Sequence, residues 1–345
     1  MRFAFTDDQL GFRDSLRDML ANECPPGALR ACWTNDTGRV PGLWRKLGDL
    51  GLLGISASEE QGGLGLAEVD MVLPLEEAGR AALPEPLVEH AAVAIPIVEA
   101  FAPAVLRERW VPRAVTGEVT LTIALDDAPF VLGADSADLV LVWSGGALRA
   151  VERSELTLAR CRSVDGARRL FSIVSGMGGG ESICDGERAI EAARDALDRG
   201  ALAAAAQLLG LGAAVLDLTV GYVKVREQFG KPIGSFQAIK HHLANALTAL
   251  EMARPLVYRA AASMAARDAS RSIHVSIAKA RASTAAQQVA RIALQCHGAI
   301  GYSTEYDLHL WMKRIWALAA AWGDPARHRA RIAAAVLEGE GQVYP

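Results

Sequence analysis

The sequence is poor in cysteine, and its cysteines follow neither a metal-binding nor a disulfide pattern. The five cysteines among 345 residues are scattered, and no two of them form a Cys-x-x-Cys pair. Zinc sites use closely spaced ligand pairs, and a disulfide framework uses an even number of cysteines. A chain of this length also buries enough apolar surface to fold without covalent staples. We therefore expect no metal site and a reducing, cytoplasmic setting.

The sequence also lacks an excess of charge of either sign. It has 36 lysines and arginines against 40 aspartates and glutamates, a net charge of -4, and the two signs are interspersed. Binding to nucleic acid and binding to anionic membranes both depend on a basic surface. Neither partner is expected, so the composition favours small molecules or other proteins as partners.

One long apolar run could be mistaken for a membrane span. It covers residues 201–222, ALAAAAQLLGLGAAVLDLTVGY. Most of its residues are weakly hydrophobic alanines, and it contains Gln207 and Asp217; an aspartate at the centre of a membrane costs about 2.5 to 3.5 kcal/mol. The run therefore predicts a buried helix. The N-terminal residues, MRFAFTDDQLGFRDSL, include acids and no apolar core segment, so no signal peptide is expected.

The spacing of apolar residues divides the chain into three regions. Residues 1–113 repeat apolar side chains at intervals of three and four, which predicts helices. Residues 114–190 contain the β-prone runs VTLTIAL, FVLG, DLVLVW and LFSIV, separated by Gly, Asp and Ser, which predicts strands. The helical period returns in residues 191–345. The predicted fold is mostly α with a small central β domain: an N-terminal helical domain, the β domain and a C-terminal helical bundle.

The third region predicts three long helices in an antiparallel bundle. The first is expected to end at about Arg226, the second to begin near Phe236, and the third to cover residues 272–298. Pro255 is expected to kink the second helix or to mark a join, because a proline inside a helix costs about 3 kcal/mol. The bundle has more surface than one lobe needs, so part of it is expected to form a subunit interface.

The segment VREQFGKPIGSFQ, residues 225–237, interrupts the first two of these helices. An arginine at a helix C-terminus is explained, by itself, by its interaction with the helix dipole. Here Arg226 is accompanied by the flat ring of Phe229 and by the paired donors and acceptors of Gln237. Because a guanidinium group matches a pyrophosphate, the three residues together suit a dinucleotide.

Three segments resemble the signatures of the flavin-dependent acyl-CoA dehydrogenases. Residues 220–245, VGYVKVREQFGKPIGSFQAIKHHLAN, resemble the first helix-loop-helix signature, and residues 295–310, QCHGAIGYSTEYDLHL, resemble the second. Residues 43–66, LWRKLGDLGLLGISASEEQGGLGL, have the tryptophan, the Leu-Gly pairs and the Glu-x-Gly-Gly-x-Gly turn of the family. The matches occur in the expected order and span most of the chain.

The resemblance implies FAD as cofactor and an acyl-CoA as substrate. In this family FAD takes a hydride from the β-carbon of the acyl group while a carboxylate removes the α-proton. Tetramers are usual, and both signatures reach the adenosine and pyrophosphate end of the FAD in a neighbouring subunit. Carried over by position, this role falls to Arg226, Phe229, Gln237, Gln295 and Gly298.

The positions that carry the catalytic carboxylate in the family hold other residues here. In many members a glutamate follows the second signature, just before a glycine, and the matching residue is Trp322, before Gly323. Other members carry the base on the helix before the first signature, where this sequence has Gly200. Asp198 is the fallback candidate, but a shift of two residues turns a helical side chain by about 200°. No catalytic residue is expected unless that helix begins irregularly.

The β region departs from the family pattern as well. Members have a Thr-Glu-Pro type segment and a Gly-Ser-Asp sequence that hold the flavin ring and the thioester, whereas this sequence reads LTIALDDAPFVLG at residues 121–133. Loss of a general base alone slows catalysis by roughly 100- to 10,000-fold. The chain resembles the base-less subunit of heterotetrameric dehydrogenases that act on the CoA thioesters of steroid side chains. Its expected partner is a second dehydrogenase-like subunit that carries the base.

Two other interpretations remain open. The chain could be a self-sufficient homo-oligomeric dehydrogenase whose base is Asp198 or Glu191, or a flavin monooxygenase of similar fold that needs no such base. It could also be a cofactor-free scaffold of the same fold. His297 in the second signature is expected to be a packed or interface residue. The glycines of GMGGGES, residues 176–182, lack the P-loop lysine and predict a flexible turn.

Overall fold

The computed structural model describes residues 4–126 and 130–337. The chain forms two compact units. The first unit takes in the chain up to Gly27, Val72–Leu83 and the chain from Ala201 onward. The second unit consists of Ala28–Met71 and Pro84–Gly200. The domain boundaries expected after residues 113 and 190 stay predictions.

Helices dominate the described residues. The α-helices are α1 (Asp7–Glu23), α2 (Pro26–Cys32), α3 (Leu43–Asp49), α4 (Glu68–Arg80), α5 (Ile95–Phe101), α6 (Ala104–Val115), α7 (Gly186–Val225), α8 (Gln237–Ala265), α9 (Arg271–His297), α10 (Leu308–Ala320) and α11 (Pro325–Leu337). A π-helical stretch covers Val88–Ala94, and 3₁₀ turns cover Glu59–Gln61, Arg153–Glu155, Ile233–Ser235 and Gly298–Tyr302. The prediction of a mostly helical fold with a small β region is confirmed.

The strands of the second unit form two small sheets. Their bounds are β1 (Leu121–Leu125), β2 (Val131–Leu132), β3 (Leu139–Ser144), β4 (Ala147–Glu152), β5 (Thr157–Cys161), β6 (Leu170–Ser175) and β7 (Glu181–Asp185). One sheet has the order β1-β3-β4-β7, with β1 and β3 parallel, and the other has the order β2-β6-β5. Val140, Val151 and Phe171 belong to one buried cluster that draws on strands of both sheets.

Four of these strands lie in the β-prone runs of the sequence, and three were not predicted. β1, β2, β3 and β6 fall in the runs VTLTIAL, FVLG, DLVLVW and LFSIV. β4, β5 and β7 read ALRAVE, TLARC and ESICD. These sequences mix charged and small residues, so their strand conformation depends on pairing with neighbouring strands more than on their own propensity.

His90 connects three elements of the second unit from within the π-helical stretch. It is fully buried; its Nε2 lies 3.0 Å from the carbonyl oxygen of Ala114 at the end of α6. Its Nδ1 accepts a hydrogen bond of 2.9 Å from the backbone N–H of Leu121, the first residue of β1. The imidazole therefore carries its proton on Nε2. Burial lowers the pKa of His90 to about 4, so the ring is neutral near pH 7.

In the first unit, α4 and α7 cross at two glycines. A Cβ atom at Gly79 would overlap the backbone of Gln207, and one at Gly210 would overlap the carbonyl oxygen of Glu76. The absence of side chains therefore permits the two helices to approach this closely. Helix α10 then covers the end of α4, because the indole N–H of Trp311 donates to the carbonyl oxygen of Arg80 at 2.8 Å.

The helical bundle of the first unit follows the predicted helices closely, with one correction. α7 ends at Val225, α8 begins at Gln237, and α9 covers Arg271–His297. The prediction that Pro255 could mark a join is wrong, since α8 continues through it. Proline has no N–H group, so the carbonyl oxygen of Glu251, four residues earlier, lacks its helical hydrogen-bond donor. Pro255 and Glu251 are both exposed, so water can donate to this oxygen instead.

Helix α7 is long and apolar enough to cross a membrane by length and composition. However, 78% of its most apolar segment is buried inside the structure, which is the environment of a core helix.

The glycine-rich segment after β6 is held in place, since the Arg149 guanidinium donates to the carbonyl oxygens of Gly179 and Gly180 at 2.7 and 2.8 Å. A cytoplasmic location stays a prediction.

Candidate cofactor site

The first predicted binding segment folds into a tight hairpin between α7 and α8. Strands β8 (Glu227–Gln228) and β9 (Lys231–Pro232) pair antiparallel on either side of a two-residue turn. The turn residues, Phe229 and Gly230, both have positive φ, +55° and +76°. This is the geometry of a type I′ turn, which glycine and asparagine adopt readily and a phenylalanine does not. The Phe229 ring nevertheless stands at the tip, 91% exposed.

Arg226 lies at the base of this hairpin, directly after the last residue of α7. Its N–H donates to the carbonyl oxygen of Tyr222 at 2.9 Å, and its own carbonyl oxygen accepts from the N–H of Ile233 at 2.8 Å. The backbone of Arg226 is thus fixed from both sides. Its side chain is exposed and makes no ion pair with any residue in 4–126 or 130–337.

Gln237 opens helix α8 just beyond the hairpin and is exposed. Phe236, which precedes it, lies under the ammonium group of Lys231, 4.5 Å from the ring centroid, and meets the Phe229 ring edge-on at 6.1 Å. These contacts restrict the hairpin relative to the start of α8. The first turn of α8 also leaves backbone N–H groups without helical partners, as at every helix N-terminus.

The second predicted segment lies where α9 ends. Gln295 is exposed in the last turn of α9, and Gly298, directly after the helix, has φ +64° and ψ -140°, a conformation that is essentially restricted to glycine. Apart from its two chain neighbours, no described residue has an atom within 4 Å of the position of a Cβ at Gly298. The backbone is therefore open to a close approach by a ligand at this point.

A stacked pair of rings brings the two segments together. The ring of Tyr222, on the last turn of α7, lies 4.3 Å from that of His297, at an interplanar angle of 22°. The Tyr222 hydroxyl donates to the carbonyl oxygen of His297 at 3.4 Å, and the Tyr306 ring meets His297 at 5.0 Å. Arg226 follows Tyr222 by one helical turn, and His297 lies between Gln295 and Gly298.

This aromatic cluster was not predicted as part of the site. The sequence placed Tyr222 in an apolar run and gave His297 only a packing role, because residues 75 positions apart cannot be paired by spacing. The position of Tyr222 one turn before Arg226 was the available signal. The stack brings the end of α7 close to the end of α9. The roles of Arg226, Phe229, Gln237, Gln295 and Gly298 as cofactor contacts stay predictions.

Trp322, at the first position where the family carries its base, sits in a tightly held turn between α10 and α11. Trp322 and Gly323 both have positive φ, +59° and +93°. The carbonyl oxygen of Trp322 lies 2.9 Å from Nε2 of His328, and that of Gly323 accepts from Nζ of Lys279 at 3.0 Å. An indole has no basic site, so this rigid turn presents no proton acceptor at position 322.

The second base position lies well inside α7, as does the fallback residue. Gly200 and Asp198 belong to a helix that begins at Gly186, so the helix is regular at both positions. Asp198 is 2% exposed and has a polar or electrostatic interaction within the chain, whereas Glu191 is exposed. The turn of about 200° between positions 198 and 200 therefore applies, and the absence of a catalytic base in this chain stays a prediction.

Other parts of the predicted chemistry can be placed only partly. The stretch LTIALDDAPFVLG contains β1 and β2, but its residues 127–129 lie outside the described residues. Among the described residues, no group of three or more His, Cys, Asp or Glu side chains could hold a metal ion. The segment expected to hold the flavin ring thus lies partly outside the described residues, and the predicted residues for the adenosine and pyrophosphate end are all described.

The residues present fit that end of an FAD. Arg226 offers an exposed guanidinium to a pyrophosphate, Phe229 offers an exposed ring, and Gly298 leaves the backbone open. Gln237 and Gln295 add exposed amide donors and acceptors. Each property is one that a dinucleotide could use.

Comparison with known proteins gives the family. Residues 6–118 match the acyl-CoA dehydrogenase N-terminal domain, and residues 188–337 match the acyl-CoA dehydrogenase C-terminal domain. The chain is 30% identical over 330 residues to acyl-CoA dehydrogenase IpdE2 of Mycolicibacterium smegmatis, covering 94% of this chain and 97% of that protein.

Solved structures agree with the sequence matches. The Tcur3481-Tcur3483 steroid ACAD has a TM-score of 0.87 and 25% identity, over 96% of this chain and 98% of that one. The ChsE4-ChsE5 complex of Mycobacterium tuberculosis shares the fold, with a TM-score of 0.85 and 23% identity, over 98% of this chain and 99% of that one. Together with the two domain matches, these findings show that the chain belongs to the acyl-CoA dehydrogenase family, whose members are oxidoreductases that bind FAD.

Proposed function

We propose that this chain is the subunit of an acyl-CoA dehydrogenase complex that completes the FAD site of a partner subunit and does not supply the catalytic base. FAD, when bound, supplies the redox chemistry of α,β-dehydrogenation of an acyl-CoA thioester. The partner subunit carries the carboxylate that removes the α-proton, and two copies of each chain form an α2β2 tetramer. The contribution of this chain is to bind and orient the adenosine and pyrophosphate end of the cofactor.

The observation that carries the proposal is the exposure of the Phe229 side chain together with its strained backbone conformation. Its ring is 91% exposed, so it gains almost nothing from burial within the chain. Its φ of +55° is unfavourable for a residue with a Cβ, by about 1 to 3 kcal/mol. The edge-on contact with Phe236, at 6.1 Å between ring centroids, leaves most of the Phe229 ring in solvent, and strained residues of this kind are concentrated at binding sites. A ligand or a partner surface over the hairpin accounts for both features.

Arg226 supplies the charge that this ligand needs. The guanidinium is unpaired among the described residues. Arg226 precedes Phe229 by three residues, on a backbone fixed by the hydrogen bonds to Tyr222 and Ile233. A planar fork of donors binds phosphate oxygens in pairs. Gly298 would let a phosphate or ribose approach the main chain, which a side chain at that position would block.

The missing base supports a division of labour between two chains. The residues at both family positions, Trp322 and Gly200, have no proton-accepting side chain, and Asp198 points away from position 200 along a regular helix. A chain that retains cofactor-contacting residues without a base is consistent with a subunit that assists catalysis elsewhere.

The comparisons support a two-chain assembly and suggest the substrate. The name of the Tcur3481-Tcur3483 protein, which is 25% identical to this chain, gives two components and calls it a steroid ACAD. ChsE4-ChsE5 is described as a complex. We propose by this likeness that the substrate is a CoA thioester of a steroid side chain. None of the side chains discussed above is specific for that acyl group.

Flavin stoichiometry tests the proposal directly. Native mass spectrometry and absorbance at 450 nm are measured on this chain alone and after co-expression with candidate dehydrogenase-like subunits. The expected result is flavin only in the mixed complex, at one FAD for each pair of unlike chains. One FAD per chain in a homo-oligomer that turns over acyl-CoA would refute the proposal and would support a self-sufficient enzyme.

Replacement of Arg226 by alanine tests the site within that complex. Loss of a hydrogen bond to a charged group is expected to weaken FAD binding by about 1.5 to 3 kcal/mol. Arg281→Ala is the matched control, because Arg281 is also exposed but lies in the interior of α9. Equal FAD affinity of the Arg226→Ala and Arg281→Ala complexes would contradict the assignment.

A further inference from the structure

The stack of Tyr222 on His297 is the physical link between the two cofactor-binding segments. Tyr222 belongs to α7, and His297 is the last residue of α9. Besides the stacked rings, 4.3 Å apart, the Tyr222 hydroxyl donates to the His297 carbonyl oxygen at 3.4 Å. The link thus uses both the side chain and the main chain of His297, directly before Gly298.

The imidazole of His297 is held in one orientation. Its Nδ1 lies 2.8 Å from the carbonyl oxygen of Ala293, so Nδ1 carries the proton. The ring is buried against the phenol rings of Tyr222 and Tyr306, which also contact each other, and its Nε2 has no hydrogen-bond partner among the described residues. Because Nε2 is also shielded from solvent, the ring cannot bind a ligand directly in this conformation.

We propose that His297 is a positioning residue of the cofactor half-site. Its ring, stacked on Tyr222, fixes the Arg226 hairpin relative to Gln295 and Gly298, so that both segments meet one FAD. This inference rests on the proposed function, since it concerns the same cofactor contacts.

A fixed distance between the two segments matters because the segments are far apart in sequence. The residues that hold them, Tyr222 and His297, are 75 positions apart, and the side chains of Arg226 and Gln295 are exposed. If the segments moved independently, binding of one FAD would have to order both of them, and affinity would fall by that ordering cost. The stack removes this cost before the cofactor binds.

Substitution of His297 separates a positioning role from a purely structural one. His297→Leu removes the ring, and His297→Phe keeps a ring that can stack on Tyr222 while losing the Nδ1 bond. In the FAD-containing complex, His297→Leu is expected to weaken FAD binding about three- to tenfold, measured by recovery of flavin fluorescence on dilution. His297→Phe is expected to restore affinity to within about twofold of the wild type.

A second variant keeps the test valid if His297→Leu does not fold. Tyr222→Leu removes the other ring of the stack and is expected to weaken FAD binding to the same degree, while Tyr222→Phe loses only the hydroxyl bond and keeps the stack. Thermal melting of each chain alone, followed by circular dichroism, shows whether loss of flavin follows loss of the fold.

The outcomes distinguish this inference from the proposed function. If Arg226→Ala leaves FAD affinity unchanged, the proposed function fails and the positioning role fails with it. If Arg226→Ala weakens binding but His297→Leu and Tyr222→Leu do not, only the positioning role is overturned. It is also overturned if His297→Phe binds FAD as weakly as His297→Leu, because the stack would then not be the active feature.

Discussion

The side-chain nitrogen of Lys279 lies 3.0 Å from the carbonyl oxygen of Gly323, in the turn that carries Trp322. The same nitrogen donates to the hydroxyl of Ser283 and to the carbonyl oxygen of Ala319, both at 3.1 Å. Lys279 is fully buried on α9, so these three acceptors replace its water. A buried lysine thus fastens the end of α10 and the following turn to α9.

The stability of this turn is expected to depend on the protonation of Lys279. Burial lowers the pKa of Lys279 to about 7, against an opposing effect of Asp324, whereas in the unfolded chain the pKa is about 10.4. Between these values the unfolded state binds more protons, so stability rises with pH. Relative to Lys279→Met, the wild type should gain about 2 kcal/mol of unfolding free energy from pH 7 to pH 9. Urea unfolding at both pH values measures it; a constant difference would contradict the prediction.

Acid is expected to destabilise the second unit through His90. The folded-state pKa of about 4 lies below the value of about 6.5 in an unfolded chain, so the unfolded state takes up the proton first as the pH falls. Neutral His90 therefore contributes about 3 kcal/mol to the free energy of unfolding. This contribution is complete above pH 6.5 and is lost as the pH falls towards 4.

His90→Phe is the variant that checks this. It leaves the Ala114 carbonyl oxygen and the Leu121 N–H without their side-chain partner, so it should lower the unfolding free energy at pH 7 by about 2 to 4 kcal/mol. The difference in unfolding free energy between the wild type and His90→Phe should become smaller as the pH is lowered to 4. His241→Gln, at an exposed histidine of α8, is the control and should change neither the unfolding free energy at pH 7 nor its dependence on pH.

The crossing of α4 and α7 predicts opposite effects for two glycine-to-alanine changes in one helix. At Gly210 a methyl group would overlap the carbonyl oxygen of Glu76, so Gly210→Ala should destabilise the protein by about 1 to 3 kcal/mol or more. At Gly221 a methyl group would meet no atom within 4 Å from the described residues beyond the local helix, and alanine should stabilise the helix by about 0.5 to 1 kcal/mol. Thermal melting of both variants decides between this packing and a looser crossing, in which both changes would stabilise.

Phe229→Gly should separate binding from stability. Glycine relieves the positive φ, but its larger conformational entropy in the unfolded chain and the loss of the edge-on contact with Phe236 offset this gain, so the unfolding free energy should stay within about 1 kcal/mol of the wild type. FAD retention in the complex should fall. Arg267→Gly, which relieves a φ of +50° in the connection between α8 and α9, is the control and should leave FAD retention unchanged. Equal retention in both variants would count against a role for the Phe229 ring.

From the sequence alone came the order of helical and β regions, the end of α7, the start of α8 and both ends of α9 to within a residue, and the family. These features depend on local information: the helical period of apolar residues, β-prone runs between turn residues, and short signatures such as REQFG and QCHG. The sequence also showed that no carboxylate stands at position 322 or 200, because residue identity needs no structure.

The tertiary structure decided how distant residues meet, which no local pattern contains. The strand state of β4, β5 and β7 comes from pairing partners, and the close crossing at Gly79 and Gly210 comes from the absence of a Cβ. The strained turn at Phe229 became visible only as a φ angle. The stack of Tyr222 on His297 joins two signatures across 75 residues, and packing alone brings them together.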